Sequence, residues 1–262
     1  MRRMVAEFEC SKCGLTISIE QYEKSKFCPE CGTFLRAKRL KIDRRIISTD
    51  LKPKEIKRED VNVESLFYEY LHLSPIDAGG VRFKDVNYWV SARKRAYKEY
   101  RNKFSPNKLH DLGRVKKDFK EWLLFKNNLS WTTFQRTGYF ALRNPELLAD
   151  LLFLLQDEEI DVSTRVYMGL RGKEKVYGIG QGILTALLHT FFDNKYGVWN
   201  SRTKDTLEIL RRTPISLSEH LHVGQVYKRV NIELITLTRE LKTNLTTLDG
   251  FMWYISKYVR FI

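Results

Sequence analysis

All four cysteines of this 262-residue chain lie within its first 31 positions, as Cys10-Ser11-Lys12-Cys13-Gly14 and Cys28-Pro29-Glu30-Cys31-Gly32. Nothing else in the sequence restricts local folding so tightly. Two Cys-x-x-Cys pairs with fourteen residues between them can set four thiolates at the corners of a tetrahedron around one Zn2+. The glycine after each pair lets the backbone turn past the metal. Four thiolates leave no open coordination position, so the expected zinc is single and structural. Two disulfides or a redox pair are the alternatives. Disulfides fit poorly with a start, Met1-Arg2-Arg3-Met4 leading into Glu7 and Glu9, that shows no apolar leader segment. Leu15-Thr16-Ile17-Ser18-Ile19 alternates like a strand and Phe34-Leu35 follows the second pair, so a short metal-pinned hairpin is expected.

An apolar content of 43% is enough for a buried core in one or two domains. The 14 glycines and 6 prolines exclude collagen-like and low-complexity chains. The longest apolar run, residues 147–155, is interrupted by Asp150 and falls far short of the ~20 residues a membrane-spanning helix needs. A soluble, cytoplasmic protein with no membrane partner is expected. Lysine and arginine number 46 against 32 acids, a net charge of +14, which favours nucleic acid, an anionic membrane or an acidic protein. The surplus is concentrated. Residues 82–120 carry thirteen Lys/Arg and four acids, whereas Asp157-Glu158-Glu159-Ile160-Asp161 is locally acidic. A solvated charged face is the plain alternative.

Residues 36–58 hold ten Lys/Arg, three acids and Pro53, a connector that could follow a phosphate backbone or serve as a solvated linker. Beyond it the pattern turns helical. Val63, Leu66, Phe67, Tyr70 and Leu71 keep a helix period that ends near Ser74-Pro75. After Gly79-Gly80, the aromatics Tyr88, Trp89, Tyr97, Tyr100 and Phe104 interleave with Arg93, Lys94, Arg95, Lys98 and Arg101. Such a mixture suits phosphate contact with base stacking, though aromatics at helical spacing more often form a core face. Phe119, Trp122, Leu123 and Phe125 predict another amphipathic helix, and residues 145–156 a largely buried one.

The stretch from Val176 to Leu188 predicts a Gly178-Ile179-Gly180 turn opening a helix with Ile183, Leu184, Leu187, Leu188 and Phe191 on one face. Glycine at a helix start lets a phosphate approach the free amides at the positive end of the dipole. Lys173 and Lys175 precede the turn and add cations. A dinucleotide fingerprint would place its third glycine one position later than Gly182. Tight helix packing is the simpler use of such glycines.

The first 40 residues resemble a zinc ribbon with rubredoxin-like knuckles. Over roughly residues 160–215, Gly178-Ile179-Gly180 and its helix, Tyr196-Gly197-Val198-Trp199-Asn200-Ser201-Arg202-Thr203, and a further helix with Leu207 and Leu210 resemble the helix-hairpin-helix DNA glycosylase superfamily. That resemblance implies a helical bundle whose hairpin amides hold a DNA phosphate. It also implies a catalytic aspartate at the start of the downstream segment and, in lyase members, a Schiff-base lysine two residues after the second hairpin glycine. Those positions are Asn200 and Gly182 here, so neither catalytic group is carried over. The Tyr196–Thr203 pattern, with residues 248–254, is also similar to helical modules attached to modification-dependent restriction proteins, which again implies DNA binding.

Other chemistry is sparse. The nucleophile-elbow, His-Glu-x-x-His and phosphate-loop patterns are missing, and the histidines are scattered singly apart from His220 and His222. Glu55-Ile56-Lys57 and Glu240-Leu241-Lys242 match the Glu-x-Lys of metal-dependent nucleases. The first falls in the connector and the second in an amphipathic helix with Leu234 and Leu237, so neither is expected on the strand that chemistry requires. Leu248, Phe251, Met252, Ile255 and Val259 form a terminal core stripe.

The sequence therefore predicts a zinc ribbon over 1–40, a basic connector over 41–60, and a mainly α domain over 61–262 built as a glycosylase-like helix-hairpin-helix bundle. The expected function is DNA binding, duplex rather than single-stranded, with damaged or modified DNA as candidate targets. Gly178, Ile179, Gly180 and Gly182, with Lys173 and Lys175, would grip phosphate. Arg202, Lys204, Arg93, Lys94 and Arg95 would contact the backbone, and Asn200 a base or the backbone. The rivals are a base-excision glycosylase or nuclease with displaced catalytic groups, and a scaffold docking through the ribbon onto a larger nucleic-acid-processing complex.

Overall fold

A computed structural model describes residues 7–9, 16–18, 54–57, 61–131, 134–212 and 221–261. The chain divides between Ser48 and Thr49 into two compact units. In the first, β1 (Glu7–Glu9) pairs antiparallel with β2 (Thr16–Ser18), placing Phe8 opposite Ile17. β2 is the expected strand, but its partner precedes the first cysteine pair. Cys10, Cys13, Cys28 and Cys31, and with them the expected zinc, lie outside the described residues, as do Phe34 and Leu35.

The second unit is mainly α-helical. It opens with β3 (Lys54–Ile56), α1 (Val63–Leu71) and a hairpin of β4 (Ile76–Ala78) and β5 (Val81–Phe83), then α2 (Val86–Lys103) and α3 (Leu112–Trp122). Two single-turn helices follow, α4 (Phe125–Asn128) and α5 (Gln135–Gly138), then α6 (Pro145–Gln156), α7 (Val162–Arg171) and α8 (Gln181–Phe191). The chain continues through α9 (Ser201–Ile209), α10 (Val223–Glu240) and α11 (Leu245–Tyr258) into β6 (Val259–Phe261). β6 pairs parallel with β3, Lys54 opposite Val259 and Ile56 opposite Phe261.

That pairing corrects two expectations. Part of the 41–60 connector belongs to the helical unit, and Glu55 of the Glu-x-Lys match does sit on a strand. Pairing between segments so far apart in sequence leaves no local pattern to read. Glu55 is exposed, and among the described residues no group of three or more His, Cys, Asp or Glu could hold a metal.

Side-chain caps set most helix starts. Asn62, Asp85, Asp111, Asn144, Asp161, Asn200, His222 and Asn244 each accept a backbone N–H from the first turn of the helix that follows. A cap of this kind is typically worth about 1 kcal/mol. His222 thus has a structural role, and His220 lies outside the described residues. α8 opens instead on Gly180, with no side-chain cap.

Packing alters three further expectations. The helix expected through Phe125 breaks, because Leu124 is extended between α3 and α4. α8 has no solvated face over residues 183–191: every one is buried among α2, α6 and α7. In α2, Trp89, Arg93, Tyr97 and Tyr100 recur at three- and four-residue steps along the inner stripe, with Phe104 just beyond.

Arg93 is fully buried on that stripe, so the expected DNA contact is corrected. Its Nε donates to Ser130 Oγ at 2.8 Å and Tyr97 Oη at 3.1 Å, its Nη1 to the Thr246 carbonyl at 2.9 Å, and its Nη2 pairs with the Asp249 carboxylate. Burial works against the charge, and the Asp249 carboxylate beside the guanidinium answers it. The base-stacking role fails likewise for Trp89, Tyr97, Tyr100 and Phe104, all core residues. Tyr88, Lys94, Arg95 and Lys98 remain exposed.

Candidate nucleic-acid interface

In the Tyr196–Thr203 pattern, the backbone before Asn200 is tied down by side chains from three helices. Five consecutive carbonyls, from Lys195 to Trp199, each accept from a different side chain: Asn231 (2.9 Å), His189 (2.7 Å), Tyr227 (2.9 Å), Thr203 (2.7 Å) and Gln181 (3.3 Å). The Gly197 amide donates to Asn231 Oδ1 at 2.7 Å, and the Trp199 amide to Thr185 Oγ1 at 2.9 Å. Each such bond contributes roughly 0.5–1.5 kcal/mol, and leaving one buried group unmade costs more. Gly197 packs closely on α10, where an added Cβ would lie 2.4 Å from Leu234 Cδ1. Side chains of α8, α9 and α10 therefore clamp the segment that delivers Asn200.

Asn200 caps α9, its Oδ1 accepting from the Thr203 N–H at 3.1 Å. Its Nδ2 has no hydrogen-bond partner among the described residues. Gly182 lies beside it, a built Cβ falling 3.5 Å from Asn200 Cβ, so the two positions marked by the glycosylase resemblance are neighbours. A cavity of about 560 Å3 opens next to Asn200. Tyr167 and Arg171 of α7, Gln181 of α8, Trp199, Lys204 of α9, and Leu221, His222 and Val226 at the start of α10 are among its walls.

The α7–α8 loop consists of two turns. Lys175 N–H donates to the Gly172 carbonyl at 3.3 Å, and Ile179 N–H to the Val176 carbonyl at 3.1 Å. In the second turn Val176 and Ile179 are buried, leaving Tyr177 and Gly180 outside. Gly178 takes the third position with φ +93°, as a type II turn requires.

The expected phosphate grip changes in detail. A Cβ at Gly178 would lie 2.3 Å from the Thr137 carbonyl oxygen, so this glycine serves packing. The Ile179 amide is already bonded and its side chain buried, so Ile179 is no donor to a ligand. Gly180, by contrast, has nothing within 4 Å of a built Cβ. Behind it the Gln181, Gly182 and Ile183 amides of α8 have no intrahelical acceptor, and none donates elsewhere among the described residues.

The cations are unequally free. Lys173 is 86% exposed with Glu174 at 3.6 Å, Lys175 is exposed, and Lys204 lies 3.8 Å from Glu208. Arg202 is half-buried. In the base-rich 82–120 stretch, Arg101 pairs with Asp193, Lys103 with Glu99 and Glu121, and Arg114 with Asp118, so its field is weaker than composition suggests. The acidic knot is answered too, Lys195 pairing with Glu158 and Lys228 with Asp161.

Sequence reasoning missed Tyr177, Phe140 and Arg143, which meet at this loop. An aromatic beside Gly-x-Gly and two lysines was the available signal. No helix among the described residues is long and apolar enough to cross a membrane. Compared with protein-family models, curated proteins and solved structures, the chain matches none of them.

Proposed function

We propose that the chain is a zinc-containing DNA-binding protein whose α7–α8 loop holds a phosphate of the duplex backbone. The observation that carries this proposal is the uncapped start of α8. Every other helix of nine or more residues among those described opens on a capping side chain, whereas α8 presents free amides behind an open Gly180. A phosphate oxygen would satisfy those donors and meet the positive end of the helix dipole, with Lys173 and Lys175 in the same loop. We assign α7–α9 a helix-hairpin-helix arrangement of the glycosylase type, and residues 1–40 a ribbon holding one Zn2+ through Cys10, Cys13, Cys28 and Cys31. That metal would contribute folding energy and no chemistry.

Asn200 carries no charge with which to stabilise an oxocarbenium ion, so base release is not expected. The cavity beside it is the observation that favours the enzyme rival. Duplexes containing uracil, oxidised guanine, alkylated bases or methylcytosine, scored for both binding and abasic sites, separate the two. Salt-dependent binding without base release, weakened by Gly180→Val in a protein that still folds, is the expected outcome. Base release that vanishes in Asn200→Ala would establish the enzyme instead, and the absence of duplex binding would favour the scaffold. Elemental analysis should find one zinc per chain, lost when the four cysteines become serine.

A further inference from the structure

We propose that Tyr177, backed by Phe140, is a stacking platform for an unpaired base, so that the protein prefers DNA with an unpaired nucleotide over fully paired duplex. The proposal rests on the DNA-binding reading of the same loop. Among the described residues Tyr177 is the most exposed large hydrophobic side chain, at 70%. It is not exposed by looseness. Its neighbours Val176 and Ile179 are sunk in the core at 2% and 5% exposure, and the turn is closed between them. The backbone at Gly178 packs closely on the neighbouring segment, where an added Cβ would meet the Thr137 carbonyl and Phe140.

The Tyr177 ring meets Phe140 at 5.2 Å between centroids, tilted by 57°, and the Arg143 guanidinium lies 4.8 Å from the Phe140 centroid. Lys173, Lys175, Arg136 and Arg143 are all exposed on the two segments that meet here. An exposed aromatic among cations is the combination that holds a base by its π-face while the backbone is held by charge. A fully paired duplex has no free π-face to offer. The preference therefore falls on bulged, frayed or single-stranded nucleotides.

The test is fluorescence anisotropy of the full chain on a matched duplex and on the same duplex with one bulged 2-aminopurine. The bulged duplex should bind about ten-fold more tightly, with 2-aminopurine quenched on binding. Tyr177→Ala should lose that preference and the quenching while keeping the matched-duplex affinity, and Tyr177→Trp should retain both. A Tyr177→Ala protein that keeps the preference overturns the platform and leaves the phosphate grip standing. Binding to neither duplex overturns both.

Discussion

α2 and the α7–α8 loop have the same ingredients, aromatics interleaved with lysine or arginine, and use them in opposite ways. In α2, Trp89, Tyr97 and Tyr100 turn inward with Arg93, which closes a buried ion pair with Asp249 of α11. In the loop Lys173, Lys175 and Tyr177 remain outside, while apolar Val176 and Ile179 anchor the backbone. Composition is blind to this difference, whereas periodicity is not. Arg93 sits four residues after Trp89 and four before Tyr97, on the stripe a helix must bury, and Lys94 and Arg95 fall off it.

The largest test of the contrast is Arg93→Ala. Removing one partner of a buried pair leaves the other uncompensated, so unfolding free energy in urea should fall by about 3–5 kcal/mol. Lys94→Ala and Arg95→Ala should stay within about 0.5 kcal/mol of wild type. Equal effects at the three positions would erase the distinction between the inner and outer bases of α2.

Next in size are the two loop glycines. Gly178→Ala forces a side chain to positive φ against the Thr137 carbonyl and should cost about 1–3 kcal/mol, read from the same unfolding curves. Gly180→Ala should leave stability within about 0.5 kcal/mol, because the space is open and its φ is negative.

A pH titration probes the inner side again. His189 packs edge-on against Tyr97 at 5.2 Å, and burial pushes its pKa below the ordinary 6.5. The unfolded chain then binds a proton that the folded chain refuses, so stability is complete above pH 6.5 and declines as pH drops below it. The limiting slope is about 1.4 kcal/mol per pH unit for one proton. A urea midpoint unchanged from neutral pH down through this range would show that His189 is protonated without penalty.

Smallest in stability, and largest in function, is the pair Lys173→Ala and Lys175→Ala. Neither should move the urea midpoint, since both are exposed. Each one that neutralises a phosphate should lower the magnitude of the log–log salt slope of duplex binding by about 0.9. An unchanged slope would make the loop lysines an ordinary solvated face.

Where local pattern determines the structure, the sequence is readable. α1, α6 and the terminal core stripe fall where periodicity puts them, and the Gly-x-Gly segment does open a helix. What escaped depends on tertiary pairing. β3 forms only because β6 returns to it, and the Ile179 amide is lost to a turn that no spacing rule announces. The Tyr196–Thr203 pattern drew notice for its resemblance to DNA-binding modules, but nothing in its spacing showed that five donors from three helices would hold the Lys195–Trp199 backbone, leaving the Asn200 Nδ2 without a partner among the described residues.

The parallel β3–β6 ladder has a topological consequence. Lys54 and Val259 are neighbours across it, so the first and last described strands of the helical unit lie side by side on one short seam. A linker rejoining Phe261 to Lys54 must only run back the length of three paired residues, about 10 Å. The chain so joined can then be cut elsewhere, for instance in the exposed Glu158–Glu159 turn between α6 and α7, and the same helices should assemble in permuted order.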